Sequence, residues 1–220
     1  MSVAPDTPHR EIGGRPVRSV HLDNGALSVT LLSHGARLHD VRLAGTGAPL
    51  LAAPTDIRRY ADAPWSAFGA VVGPVANRIA HGRARLGDRW IDLPRHEGQP
   101  HTLHGGPGGT QTRIWEVDGV SATAATFTLI LRDGADGFPA NRIVAAHYAL
   151  GPGAAITLTI TATTDAPTWL NFASHPVWSL DARPDTSGHV LRVPAARYLP
   201  TDETALPTGT VAPVAGTPFD

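Results

Sequence analysis

Ile156-Thr157-Leu158-Thr159-Ile160-Thr161-Ala162-Thr163 alternates apolar and hydroxyl side chains without a break. A period of two places Ile156, Leu158, Ile160 and Ala162 on one face and the four threonines on the other, which predicts a half-buried β-strand. On its N-terminal side, Thr123 to Arg132 and Arg142 to Leu150 read the same way, rich in β-branched and aromatic positions. Nearer the start, Asp23-Asn24-Gly25 separates Val20–Leu22 from Leu27–Leu32, and Gly87-Asp88 separates Arg83–Leu86 from Arg89–Asp92. Both are hairpin signals. No stretch carries a 3.6-residue apolar stripe of helical length. Short strands punctuated by 23 glycines and 20 prolines predict an all-β chain, a large antiparallel β-sandwich or barrel.

Two long irregular segments, Pro54–Pro64 and Pro94–Thr112, interrupt the pattern, and loops of that length are usually functional. The Gly105–Gly109 run is read as a tight turn whose backbone needs glycine, since the lysine of a phosphate loop is missing. With no internal repeat, charge block or linker, residues 1–220 read as a single domain.

Composition narrows the chemistry. The 220 residues are 42% hydrophobic with a formal net charge of -1, which favours a packed core and offers no basic field for nucleic acid or an anionic membrane. No apolar run is long enough to span a membrane, and residues 1–14 lack the apolar centre of a signal peptide. A cytoplasmic protein is the expectation. All 18 cationic Lys/Arg positions are arginine, and there is no cysteine. Schiff-base chemistry, a lysine-anchored pyridoxal and thiolate chemistry are thereby excluded. Histidine, carboxylate, hydroxyl and arginine remain, with eleven histidines to choose from.

Several segments, in order, carry a resemblance. They are Phe68-Gly69-Ala70-Val71-Val72-Gly73-Pro74-Val75-Ala76-Asn77-Arg78-Ile79-Ala80-His81-Gly82, then Thr102-Leu103-His104-Gly105-Gly106-Pro107 with Trp115 following. Asp133-Gly134-Ala135-Asp136-Gly137-Phe138-Pro139-Ala140-Asn141 precedes a long strand, and Asn171-Phe172-Ala173-Ser174-His175 comes next. Tyr198-Leu199-Pro200-Thr201-Asp202, Pro207-Thr208-Gly209 and Val214-Ala215-Gly216-Thr217-Pro218-Phe219-Asp220 complete the series. Together they resemble the aldose 1-epimerase (galactose mutarotase) family. Pro74 departs from an arginine common there, and Pro176-Val177-Trp178-Ser179 departs from a commoner Ser-Tyr-Phe-Asn beside His175, which bears on substrate preference.

The resemblance implies a β-supersandwich, here lacking its last strands, and a free aldohexose such as glucose or galactose as substrate. Mutarotation opens a pyranose by removing the anomeric hydroxyl proton while protonating the ring oxygen, so one donor and one acceptor suffice and no metal or cofactor is called for. His175 is the expected general acid, because an imidazole titrates near neutrality. His104 is expected to hydrogen-bond the ring-oxygen region or a neighbouring hydroxyl, and Asn77 and Arg78 to hold hydroxyls. Trp65 and Trp178 are candidates for an apolar face against the sugar, with a core position as the competing reading. His101-x-x-His104 suggests zinc only weakly, since a third ligand is not evident.

The family's base is a glutamate near the C-terminus, a position this sequence does not reach, so impaired activity of the 220-residue chain is expected. Glu97 and Asp136 are the first substitutes to consider. A strand edge left open invites a homodimer. Two other readings stay open: a non-catalytic carbohydrate-binding or sensor domain, and a relative acting on hexose 6-phosphates.

Overall fold

The computed structural model describes residues 10–220 apart from Glu97, Ala182 and Pro184; the expectation placed on Glu97 lies outside the described residues. They divide into two compact units, the first ending at Asp185 and the second running from Thr186 to Asp220.

In the first unit two antiparallel sheets form the sandwich. One has three strands, Ser19–Asp23, Leu27–Leu32 and Arg37–Leu43. The other is a four-stranded meander of Glu116–Val120, Ala124–Leu131, Arg142–Gly151 and Ala155–Thr164. Both hairpins read from the sequence are present. At the first, the Asn24 carboxamide oxygen accepts from the Ala26 and Leu27 N–H groups, and Gly25 takes φ 82°, a left-handed geometry that costs glycine little. The second pairs Arg83–Leu86 with Arg89–Asp92.

Alternation sets the layers. Val144, Ala146, Tyr148 and Leu150 point inward from one strand, Phe127, Leu129 and Leu131 from its neighbour, and they share a core with Val20, Leu22, Val29 and Leu31 of the other sheet. The Tyr148 hydroxyl, buried in that core, donates to the Ala36 carbonyl at 2.9 Å, satisfying a polar group that burial would otherwise penalise. Ile156, Leu158, Ile160 and Ala162 pack half-buried against the same core while Thr157, Thr159, Thr161 and Thr163 are exposed. The threonine ladder behaves as its periodicity predicts.

The two segments read as irregular contain short ordered pieces. Ile57–Ala61 is a 3-10 turn that Asp56 caps by accepting from the Arg58 N–H, with Ile57 and Tyr60 buried. Thr102–Leu103 is a two-residue strand, and Thr110–Thr112 another 3-10 turn.

Arg37 and Arg142 are fully buried. Arg142 caps the meander, donating to the Ala140 and Arg132 carbonyls. Within the second unit, Arg197–Tyr198 pairs with Ala212–Pro213, and the Tyr198 and Phe219 rings lie 4.8 Å apart.

Candidate active site

The segment from Phe68 to Ile79 positions both motif histidines. At its start, Ala173 pairs with Val72 and Ser174 with Val71. That register brings His175 opposite Ala70: the His175 N–H donates to the Ala70 carbonyl at 2.9 Å, and the Gly69 N–H donates to the His175 carbonyl at 2.7 Å. At its far end, Thr102 pairs with Ile79 and Leu103 with Arg78, so His104 falls opposite Asn77. Ladder geometry alone therefore closes about seventy residues of sequence separation.

His104 and Asn77 are joined by a reciprocal pair of hydrogen bonds. The His104 N–H donates to the Asn77 carbonyl, and the Asn77 N–H donates to His104 Nδ1, each at 3.0 Å. Both residues hold left-handed backbone conformations, with φ 62° at Asn77 and 52° at His104. Asparagine accepts that region more readily than most residues. His104 is followed by Gly105 and Gly106, at φ 85° and 81°. A Cβ at Gly105 would lie 2.1 Å from the Gly73 carbonyl oxygen, so the loop can approach the Phe68–Ile79 segment only through glycine.

The two imidazoles meet edge to face, with centroids 5.3 Å apart and planes at 89°. Behind His175 the Phe68 ring lies nearly parallel at 6.3 Å, and Trp65 packs on Phe68 at 5.1 Å. Trp65, Phe68, His175 and His104 thus form one continuous row of rings. Arg78 donates to the Asn77 side-chain oxygen at 3.0 Å, which anchors its guanidinium beside His104.

Burial pushes the His104 pKa down to about 4, reinforced by the nearby positive groups of His175, Arg78 and His96. Because Nδ1 accepts from the Asn77 N–H, the neutral ring carries its proton on Nε2. His104 is a neutral hydrogen-bond donor throughout the physiological range.

Of the residues picked out in the sequence, His104, His175, Asn77 and Arg78 come together, and Trp65 joins through Phe68. Trp178 bridges through its backbone to Leu51 and is 42% exposed as a residue, outside the row of rings. Asp136 is engaged with Arg113 at 2.6 Å. Arg113 also donates to the Gly108 carbonyl, so this ion pair braces the glycine loop. His101, the other member of the His-x-x-His pair, accepts at Nδ1 from the His81 N–H. Its ring lies against His81 at 5.3 Å. Among the described residues no group of three histidine or carboxylate side chains is arranged to hold a metal ion. Phe68 and His96 escaped the sequence reading as site residues, although Phe68 opens the motif that contains Asn77.

The buried histidines give the fold a signature in acid. Burial also pushes His34 down, to about 3, with Arg37 and Arg15 adding repulsion. For both His34 and His104 the folded pKa lies below the ordinary 6.5, so the unfolded chain binds more protons between those values. Their contribution to stability is complete above about pH 6.5 and is lost as the pH falls toward 4 and then 3. A lower urea midpoint at pH 5.3 than at pH 7 is expected, in a range where most carboxylates remain ionised. An equal or higher midpoint at pH 5.3 would contradict the neutral burial of these rings.

The sequence matches the aldose 1-epimerase family model over residues 18–220. It is 34% identical to aldose 1-epimerase of Escherichia coli (strain K12), over 98% of this chain and 63% of that protein. It is 33% identical to galactose mutarotase of Mus musculus, over 94% of this chain and 61% of that protein. In three dimensions it resembles the crystal structure of a GalM/aldose epimerase homologue from C. elegans. The TM-score is 0.85 at 28% identity, covering 92% of this chain and 63% of the other. Galactose 1-epimerase from Lactobacillus acidophilus gives a TM-score of 0.83 at 27% identity, with 98% and 64% covered. The chain therefore spans slightly less than two thirds of the length of these relatives.

Proposed function

This chain belongs to the aldose 1-epimerase family, and on that premise we propose that it forms the donor side of a sugar site that interconverts the α and β anomers of free aldohexoses. The observation that carries the reading is the perpendicular His104–His175 pair, 5.3 Å between centroids, with one ring held neutral as an Nε2–H donor.

In this reading His175 protonates the ring oxygen as the C1–O bond opens, while the anomeric hydroxyl loses its proton to a base. Rotation about the C1–C2 bond presents the other face of the aldehyde, and the steps reverse. His104, unable to take a proton at neutral pH, orients the same edge of the sugar by donating a hydrogen bond. The fixed Asn77–Arg78 pair adds donors for hydroxyls without reorganising during the reaction. The half-buried Trp65 and Phe68 rings limit water around His175, which strengthens the polar contacts made there.

The test is polarimetry of freshly dissolved α-D-glucose and α-D-galactose with the protein at the full length of its reading frame. Acceleration of each toward its own uncatalysed equilibrium rotation is expected, unaffected by chelators. Saturable binding of the sugars without acceleration would replace this function with a sensor role. Activity confined to hexose 6-phosphates would reassign the substrate.

A further inference from the structure

Arg37 is an arginine in an apolar slot. It lies between buried Ala36 and Leu38 and is itself fully buried. Its guanidinium stacks over the Tyr60 ring, 3.9 Å from the centroid. Its partners are neutral: it donates to the carbonyls of His34, Trp65, Ser66, Phe68 and Gln111, and His34 Nδ1 lies 3.4 Å away. Burial lowers its pKa to about 10, so it stays charged.

Burying a cation on carbonyls alone is a costly way to fill space, and an apolar side chain of similar volume often serves stability as well or better. What a guanidinium offers instead is five donors in a rigid plane, able to bind several backbone segments at once in fixed directions. The segments bound here flank the histidine pair. Phe68 supplies the ring parallel to His175. Gln111 lies in the Thr110–Thr112 turn that ends the His104 loop, and its side chain packs against Gly109. The adjoining backbone continues the link: the Leu38 N–H donates to the Gly69 carbonyl at 2.9 Å, and the Gly69 N–H donates to the His175 carbonyl.

We infer that Arg37 is a positioning residue for the sugar site, fixing Phe68 behind His175 and Gln111 at the end of the His104 loop from beneath. It touches no substrate. The inference rests on reading His104 and His175 as the reacting pair, and it assigns Arg37 an effect on turnover distinct from its effect on folding.

The experiment has two arms on the full-length protein: the ¹H–¹³C NMR resonance of the His175 ring Cε1–H, and kcat and KM from polarimetry with α-D-galactose. The variants are Arg37→Lys, Phe68→Leu and the double substitution. Arg37→Lys keeps the charge and loses the fork. It is expected to move the His175 resonance, through the altered ring current of Phe68, and to lower kcat about tenfold or more, as small misplacements of reacting groups do. KM should stay within about twofold. The double variant should be no slower than Phe68→Leu alone, because coupled residues are non-additive. An Arg37→Lys protein with a lowered melting temperature but an unmoved His175 resonance and unchanged kcat would overturn the inference, as would full additivity with Phe68→Leu. If Arg37→Lys does not fold, Tyr60→Leu, which removes the ring under the guanidinium, must move the same resonance. No shift there overturns the inference too. The NMR arm needs no sugar, so a wild-type protein inactive on hexoses sinks the proposed function while the His175 resonance judges Arg37 separately.

Discussion

Substituting asparagine for His175 is expected to lower mutarotation by ~10²–10⁴-fold, the usual contribution of a general acid. That is about 3–5 kcal/mol of transition-state stabilisation, at 1.36 kcal/mol for each tenfold. The substitution isolates chemistry from folding because His175 is tied into the sheet by its backbone, through the Ala70 carbonyl and the Gly69 N–H. Asparagine retains those bonds and a polar side chain but has no group that can release a proton near neutrality. Thermal stability should therefore change by no more than about 1 kcal/mol. His104→Gln should cost less in rate, since an amide N–H can still donate. A His175→Asn protein with the wild-type melting temperature and the wild-type rate would remove His175 from the mechanism.

Gly105→Ala is expected to be among the most destabilising single substitutions in the chain. Alanine at φ 85° is strained in itself, and its methyl would lie 2.1 Å from the Gly73 carbonyl oxygen and 2.7 Å from Pro74 Cδ. Both obstacles belong to the segment that carries Asn77, so relief must move the His104 loop away from it and break the reciprocal Asn77–His104 bonds. A loss of more than about 2 kcal/mol in urea unfolding is expected, as backbone strain, the steric conflict and the lost Asn77–His104 hydrogen bonds combine. Gly119→Ala is the control: Gly119 has open space where a Cβ would stand, and a change within about 0.5 kcal/mol is expected. Equal stability of the two variants would contradict the close approach on which the site geometry depends.

Both predictions concern residues whose type could be read in the sequence but whose reason could not. The threonine ladder of Ala155–Thr164 and the hairpin across Gly87-Asp88 are governed by local rules, period two and turn chemistry, and they stand where those rules put them. The convergence of His104 and His175 was legible only as part of a motif series. The cause is the register of two-residue ladders on either side of the Phe68–Ile79 segment, and no propensity reports pairing that short.

The Pro54–Pro64 segment looked irregular because a single 3-10 turn is too brief to show a period. Its signals were present in Asp56 as the cap and in Ile57 and Tyr60, three apart, as the buried side. Arg37 was invisible for another reason. Strand patterning treats a charged residue as outward-facing, and nothing local reveals that carbonyls from Trp65–Phe68 and from Gln111 will converge on it beside that of His34. The neutral state of His104 follows from its burial and its tautomer from a backbone N–H 27 residues away, both of which only the fold supplies.

The claim at the centre of this account is that His104 and His175 face one hexose ring. Its most direct test is a titration of the protein with D-galactose, following the ring Cε1–H resonances of both histidines by NMR. The two resonances are expected to shift on a single saturation curve, with His104→Gln and His175→Asn each weakening the response of the partner ring. Resonances that stay fixed at tens of millimolar galactose, well above the roughly 1 mM upper end of typical enzyme KM values, while the sugar's mutarotation is accelerated, would contradict it and place the reaction elsewhere in the protein.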